Sequence, residues 1–425
     1  MRVLWLLAAP LGVMKTVVFN DTRFDSSGTW IDNALRSLAA CGVCDEVFVM
    51  SIDERGDGMW HEGEFAQYCC LKHERVNRYR KIDYRLVEQM RTVIDSLSPD
   101  IVHIFGTETP FTMHSIIAVD SRYPWCIQIQ GIISVINRYQ FGYISSKDMF
   151  GNNPLHRTIG EIWKRRNVNR VAEMMEIEAI KRATSIICGT KWGSDICNYY
   201  QPNATIYNVP LAINDVFQNA CWSIEGCERG RILTISENNG FKGLHQVIHA
   251  VASLVNQHPN IKIVVPGRKY DLNAKISFRT NPYLRYLVRL CELYNMKDHI
   301  EFLGVLSPME MANEIKKANV FVMGSAIENE STALREAMYV GAPCIASNVG
   351  SISEIITDGV DGALYRYEEY ERMAIKIKRI LEDDLLAQQY SENGRKTIRA
   401  KFVQGREAGK ILLKTYEDIM VRYNR

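Results

Sequence analysis

Apolar residues in this chain gather into short unbroken runs, separated by longer stretches in which they recur every three or four positions. Val3–Ala9, Glu46–Ser51, Ile101–Phe105, Trp125–Gln130 and Ser185–Cys188 have strand length, and runs with little polar alternation suit strands buried on both faces. Between them, segments 28–41, 82–97 and 160–183 carry helical spacing. The second half alternates more regularly, with strands expected at 231–236, 261–265, 299–303, 319–323, 343–346 and 362–365. Helices are expected near 243–256, 282–295, 308–317 and 331–340, and two long amphipathic segments, 367–381 and 385–424, close the sequence. This alternation predicts parallel βαβ units. A length of 425 residues exceeds what one core usually holds, so two αβα domains are expected. The period is lost over 211–230, where Asn214-Asp215, Gln218-Asn219 and Gly226 fall. A linker is predicted there, between a first domain at 1–210 and a second at 231–400.

Composition narrows the picture modestly. A net charge of +2 with 24% charged residues gives no global case for nucleic acid or membrane. Eleven cysteines, an odd number set mostly in apolar segments, suit a reducing compartment. Cys41-Gly-Val-Cys44 lacks a second pair at zinc spacing and reads as buried small hydrophobes. The opening Met1-Arg-Val-Leu-Trp-Leu-Leu-Ala-Ala-Pro reads as a first buried strand rather than a signal peptide, and no apolar run is long enough to span a bilayer. A cytoplasmic location is expected, with peripheral contact at the inner membrane face as a further option. The run Arg157-Thr-Ile-Gly-Glu161-Ile-Trp163-Lys164-Arg165-Arg166, followed by Arg170, carries the local basic charge that such contact requires.

Candidate chemistry concentrates between Ser325 and Pro343. The run Val320–Met323 reads as a buried strand, and Ser331–Val340 reads as a helix stopped by Gly341 and Pro343. A helix N-terminus at a strand's carboxyl end favours an anion, because first-turn N–H groups are unpaired and the helix dipole points there. Glu328 before the helix and Glu336 inside it can accept hydroxyl hydrogens at opposite ends of that anion. A sugar, a diphosphate and a ribose fit this order. There is no Asp-x-Asp pair, no zinc spacing, no nucleophile triad, no Gly-x-Gly-x-x-Gly and no Walker loop, which argues against metal-held diphosphate, NAD binding and ATP hydrolysis. No metal or other cofactor is expected.

The segment Glu328, Glu336-Ala-Met338, Gly341-Ala-Pro343, Ile345-Ala-Ser347 and Val349-Gly350 resembles the signature of the retaining family-4 glycosyltransferases, with its Glu-x7-Glu motif. The resemblance is strong over 230–365 and looser elsewhere. It implies an α/β GT-B architecture, two Rossmann-like domains facing a central cleft, with a C-terminal helix at 401–425 packing back on the first domain. It also implies a retaining, metal-independent hexosyltransferase that moves a sugar from a nucleotide diphosphate sugar to a hydroxyl acceptor in polysaccharide or glycolipid assembly. By that resemblance Glu328 holds the donor sugar hydroxyls, Glu336 the ribose, Lys242 of Phe241-Lys242-Gly243 the diphosphate, and backbone N–H groups at Ser331 and Thr332 the distal phosphate. The family usually carries an arginine five residues before that lysine. Glu237 stands there instead, and Arg268 is the candidate replacement. Gly28 occupies the family's glycine loop between donor and acceptor, and Gln130 stands where many relatives have histidine near the transferred sugar. His103, near a strand end, is a second acceptor-side candidate, with a packed strand histidine as the alternative. A GT-B phosphorylase, a sugar nucleotide epimerase and a noncatalytic glycan- or nucleotide-binding module are the rival readings.

Overall fold

The computed structural model describes residues 1–22, 28–42, 46–73, 82–151, 154–209, 211–236, 240–273, 277, 280–402 and 405–424. The chain divides into two compact units: Met1–Asn137 with Asn169–Asn214 and Phe402–Arg425, and Arg138–Val168 with Asp215–Lys401. Their composition differs from a single cut through the sequence. Residues 138–168 belong with the second unit. The break at Asn214/Asp215 falls inside the expected linker, but most of that segment is packed into the second unit: Trp222 is buried there, its ring N–H donating to the Ala318 carbonyl at 2.7 Å.

The first unit holds an eight-stranded sheet built from β1 (Arg2–Leu7), β2 (Glu46–Asp53), β3 (Trp60–Glu62), β4 (Gln67–Lys72), β5 (Ile101–Phe105), β6 (Trp125–Ile129), β7 (Ser185–Cys188) and β8 (Thr205–Tyr207). Its order is β3-β4-β2-β1-β5-β6-β7-β8, parallel except for β3, which runs antiparallel to β4 at the edge. β1 is central and, past Arg2, wholly buried, which explains why its sequence is apolar on both faces. The helix Arg406–Tyr423 packs on the helix Thr29–Ala39 in this unit. There the Tyr416 hydroxyl receives a hydrogen bond from the Trp5 ring N–H at 3.0 Å.

The second unit contains β9 (Arg231–Thr234), β10 (Lys262–Pro266), β11 (Ile300–Gly304), β12 (Val320–Met323), β13 (Cys344–Ser347) and β14 (Ala363–Tyr365). All pairings are parallel and the order is β11-β10-β9-β12-β13-β14. This is the doubly wound Rossmann order, whose direction reverses between β9 and β12 and leaves a crevice at their carboxyl ends. Helix limits follow local chemistry. Ser307 and Glu310 form a capping box on Pro308–Lys317, and Asn281 caps Pro282–Leu293. Gly341, at φ 102°, ends Thr332–Val340.

Candidate functional site

The two loops at the β9/β12 switch point are the turn Gly240–Lys242 after β9 and residues 324–331 after β12. They are locked together. The Phe241 carbonyl accepts the Ala326 N–H at 2.6 Å, and Thr234 on β9 donates its hydroxyl to the Val322 carbonyl on β12 at 2.7 Å. Gly243 opens the helix Leu244–Ala252 at φ 70°, and a Cβ there would lie 1.6 Å from the Gly324 carbonyl oxygen. Glycine alone allows that approach.

Lys242 and Glu328 meet across this junction. The Lys242 ammonium donates to Glu328 Oε1 at 2.7 Å, with side chains 16% and 8% exposed. The Ser325 hydroxyl donates to the same oxygen at 2.6 Å, and the Ser325 carbonyl is in turn held by the Ser347 hydroxyl. Behind Glu328 lies Gly350, at φ 53°, where a Cβ would fall 1.9 Å from the Glu328 carbonyl oxygen. That carbonyl accepts the Ser351 N–H at 3.1 Å. Ser325, Ser347 and Ser351 thus hold the carboxylate loop. Sequence reading assigned them no role, since a serine beside a motif carries no signal of its own.

Ser331 precedes the helix Thr332–Val340 without a side-chain cap bond, and its buried hydroxyl lacks a partner among the described residues. The Thr332 hydroxyl turns back to the Glu330 carbonyl at 3.2 Å. The first turn of this helix is anchored by a buried ion pair, Arg335 to Glu330 at 3.1 Å, with side chains 1% and 4% exposed. Glu336 is partly exposed, and burial among its neighbours pushes its carboxyl up to about 8. Arg268 is exposed just past β10, the strand next to β9. Glu237 lies outside the described residues, as do Cys44 and the Asp25-Ser-Ser stretch before Gly28. Among the described residues, no group of three His, Cys, Asp or Glu side chains is arranged to hold a metal ion.

The candidates in the first unit separate. Gly28 starts the helix Thr29–Ala39 at φ 85°, where a Cβ would fall 2.5 Å from Leu11. Gln130 is partly exposed one residue beyond β6. His103 is different: it is 0% exposed, stacked 3.8 Å from the Phe105 ring and bonded through Nδ1 to the Tyr416 hydroxyl at 2.6 Å. Burial depresses its pKa to about 3. The structure makes it a neutral core histidine out of reach of a substrate, because β5 is buried on both faces. Two carboxyls of this unit are held by backbone N–H groups. Glu108, after β5, accepts the Gly131 N–H at 2.6 Å. Glu176 accepts from Thr107 Oγ1 and from the N–H groups of Ile133 and Ser134, and burial raises it to about 7.

Residues 228–397 match the family of glycosyl transferases group 1. The second unit carries a group 1 glycosyltransferase domain. That domain contains Lys242, Glu328 and Glu336. A putative glycosyltransferase, YtcC of Bacillus subtilis strain 168, is 24% identical over 328 residues, covering 77% of this chain and 74% of that protein. Sucrose-phosphate synthase from Thermosynechococcus elongatus superposes with a TM-score of 0.76 at 16% identity, over 99% of this chain and 100% of that one. Anabaena HepE in complex with UDP and glucose gives 0.66 at 15% identity, over 98% and 99%. The group 1 domain and its partner unit are of the GT-B fold type.

Proposed function

We propose that this glycosyltransferase takes a sugar from a nucleotide diphosphate sugar and passes it, with retention and without a metal, to a hydroxyl of a growing glycan or glycolipid. The observation that carries the reading is the Lys242–Glu328 pair at the carboxyl ends of β9 and β12, beside a helix whose first-turn N–H groups can take an anion. In this reading Lys242 and the backbone N–H groups at Ser331 and Thr332 compensate the diphosphate. Glu328 accepts hydrogen bonds from the sugar hydroxyls and Glu336 from the ribose. Arg268, exposed past β10, supplies the second basic group, Gly28 is assigned to donor binding, and Gln130 belongs to the acceptor side.

The reaction breaks the bond between the anomeric carbon and the diphosphate oxygen and forms a bond to the acceptor oxygen on the same face. The acceptor proton goes to the departing diphosphate. Catalysis comes from stabilising the charge that grows on that leaving group, where Lys242 gains more in the transition state than in the ground state. HepE is bound with UDP and glucose in its own structure, which makes UDP-sugars the first donors to test. The purified protein is incubated with a donor panel, and the product's anomeric configuration is read by NMR, with and without EDTA and inorganic phosphate. Retained configuration that survives chelation is expected. An inverted product removes the retaining mechanism, activity lost to EDTA and restored by manganese removes metal independence, and a strict need for phosphate points to a phosphorylase.

A further inference from the structure

The helix Pro154–Asn167, part of the second unit, presents apolar side chains on a face that does not pack. Leu155, Ile159 and Ile162 are 65%, 51% and 47% exposed, and their i, i+4, i+7 spacing sets them in one stripe along the helix. The seat of the helix is on another side. Gly160 lies so close to Phe150 that a Cβ would fall 2.4 Å from its ring. Trp163 contacts Phe141 and Phe150, at 5.5 and 5.7 Å between ring centroids, and the Lys164 ammonium donates to the Ile144 carbonyl at 2.6 Å. The exposed stripe is therefore not a core face left over by fraying, since the helix already has a packed side.

Charge completes the pattern. Arg166 continues the stripe one turn further on, Arg165 flanks it, and both are exposed, while the helix's one acid, Glu161, lies off the stripe. In a chain of net charge +2 this is a local concentration. A helix with aliphatic side chains on one face and arginines along its border is built to lie in the headgroup region of an anionic bilayer, the aliphatic groups inserted and the guanidinium groups at lipid phosphates. Three half-exposed side chains supply only a fraction of the roughly 800 Å² per partner that a stable protein interface buries, which disfavours a second copy as the occupant.

We propose that the helix Pro154–Asn167 seats this protein on an anionic lipid surface through Leu155, Ile159 and Ile162, with Arg165 and Arg166 facing the lipid phosphates. The test is cosedimentation of the full chain with phosphatidylcholine vesicles and with phosphatidylcholine–phosphatidylglycerol vesicles. No nucleotide sugar is present, so the outcome is independent of the glycosyl-transfer reading. Sedimentation with the anionic vesicles alone is expected. Arg165→Gln with Arg166→Gln should weaken it roughly thirtyfold, five- to sixfold per basic residue near an anionic surface. Ile159→Ser with Ile162→Ser should weaken it about tenfold or more, with circular dichroism and Tm reporting an intact fold in both. Equal binding to neutral vesicles, no binding to anionic ones, or unchanged binding by both variants overturns the proposal. So does a concentration-dependent dimer that the isoleucine variant dissolves while vesicles capture nothing.

Discussion

Replacing Glu328 by glutamine removes the anion that holds Lys242 in the ligand-free protein, so its effect on a bare nucleoside diphosphate should be opposite to that of removing the lysine. The two groups are 2.7 Å apart and 8% and 16% exposed. A hydrogen bond to a charged group contributes about 1.5–3 kcal/mol net. An arriving diphosphate must share or displace that contact, so Glu328→Gln should tighten UDP binding by about 1.5 kcal/mol, roughly tenfold. Lys242→Ala should weaken it by roughly ten- to a hundredfold. The double variant should match Lys242→Ala, because without the ammonium the glutamate has nothing to withhold. Folding stability adds an independent reading. Lys242→Ala strands a carboxylate that keeps, among the described residues, the Ser325 hydroxyl alone, at a cost of about 3 kcal/mol, much of which the double variant should recover. Calorimetric titration with UDP, and with GDP and ADP as alternatives, measures the first cycle, and denaturant melts measure the second. If Glu328→Gln weakens nucleoside diphosphate binding as Lys242→Ala does, or if Lys242→Ala changes nothing, the diphosphate does not sit where we place it.

Gly243→Ala should lower stability by about 2 kcal/mol or more, since its Cβ would fall 1.6 Å from the Gly324 carbonyl oxygen. Nucleotide affinity should fall with it as the Lys242 turn is pushed off β12, and an alanine variant with wild-type Tm and binding would refute the locked-loop account. Glu336, held at about 8 against an ordinary 4.5, is disfavoured as an anion in the fold. Its contribution to stability is therefore present at low pH and lost as pH rises from about 4.5 through about 8. Glu336→Gln should gain Tm on wild type between about pH 6 and pH 9; a gap that widens toward acid pH instead contradicts the assigned environment.

Periodicity made much of the second unit legible, because its apolar runs are short and, apart from the edge strand β11, largely buried. The expected strand 319–323 and helix 331–340 match β12 and Thr332–Val340 to within one residue. In the first unit the edge strands β3 and β8, three residues each, are too short to carry a period. The expected helix at 160–183 is two helices, Pro154–Asn167 and Arg170–Arg182. Residues 138–168 belong to the second unit through contacts such as the Tyr367 hydroxyl donating to the Gly142 carbonyl at 3.0 Å, and no local pattern encodes a partner so distant. The motif residues were readable as types, but the Lys242–Glu328 pairing depends on β9 and β12 being neighbours. His103 shows the opposite limit: a histidine near a strand end reads alike whether it faces a ligand or Tyr416.

The bond from Trp5 to Tyr416 spans 411 residues of chain, and that interval is also a delay. At a synthesis rate of roughly 5–20 residues per second, β1 leaves the ribosome about 20–80 seconds before its partner helix exists. During that time the central strand of the first sheet lacks one of its covers, and the second unit's segments, which end at Lys401, are finished before that cover is made. The unit that begins first is thus the last to close. A nascent chain of this protein should need chaperone shelter for β1 until Arg406–Tyr423 has been made, and loss of the last two turns of that helix would strike a strand some 411 residues upstream.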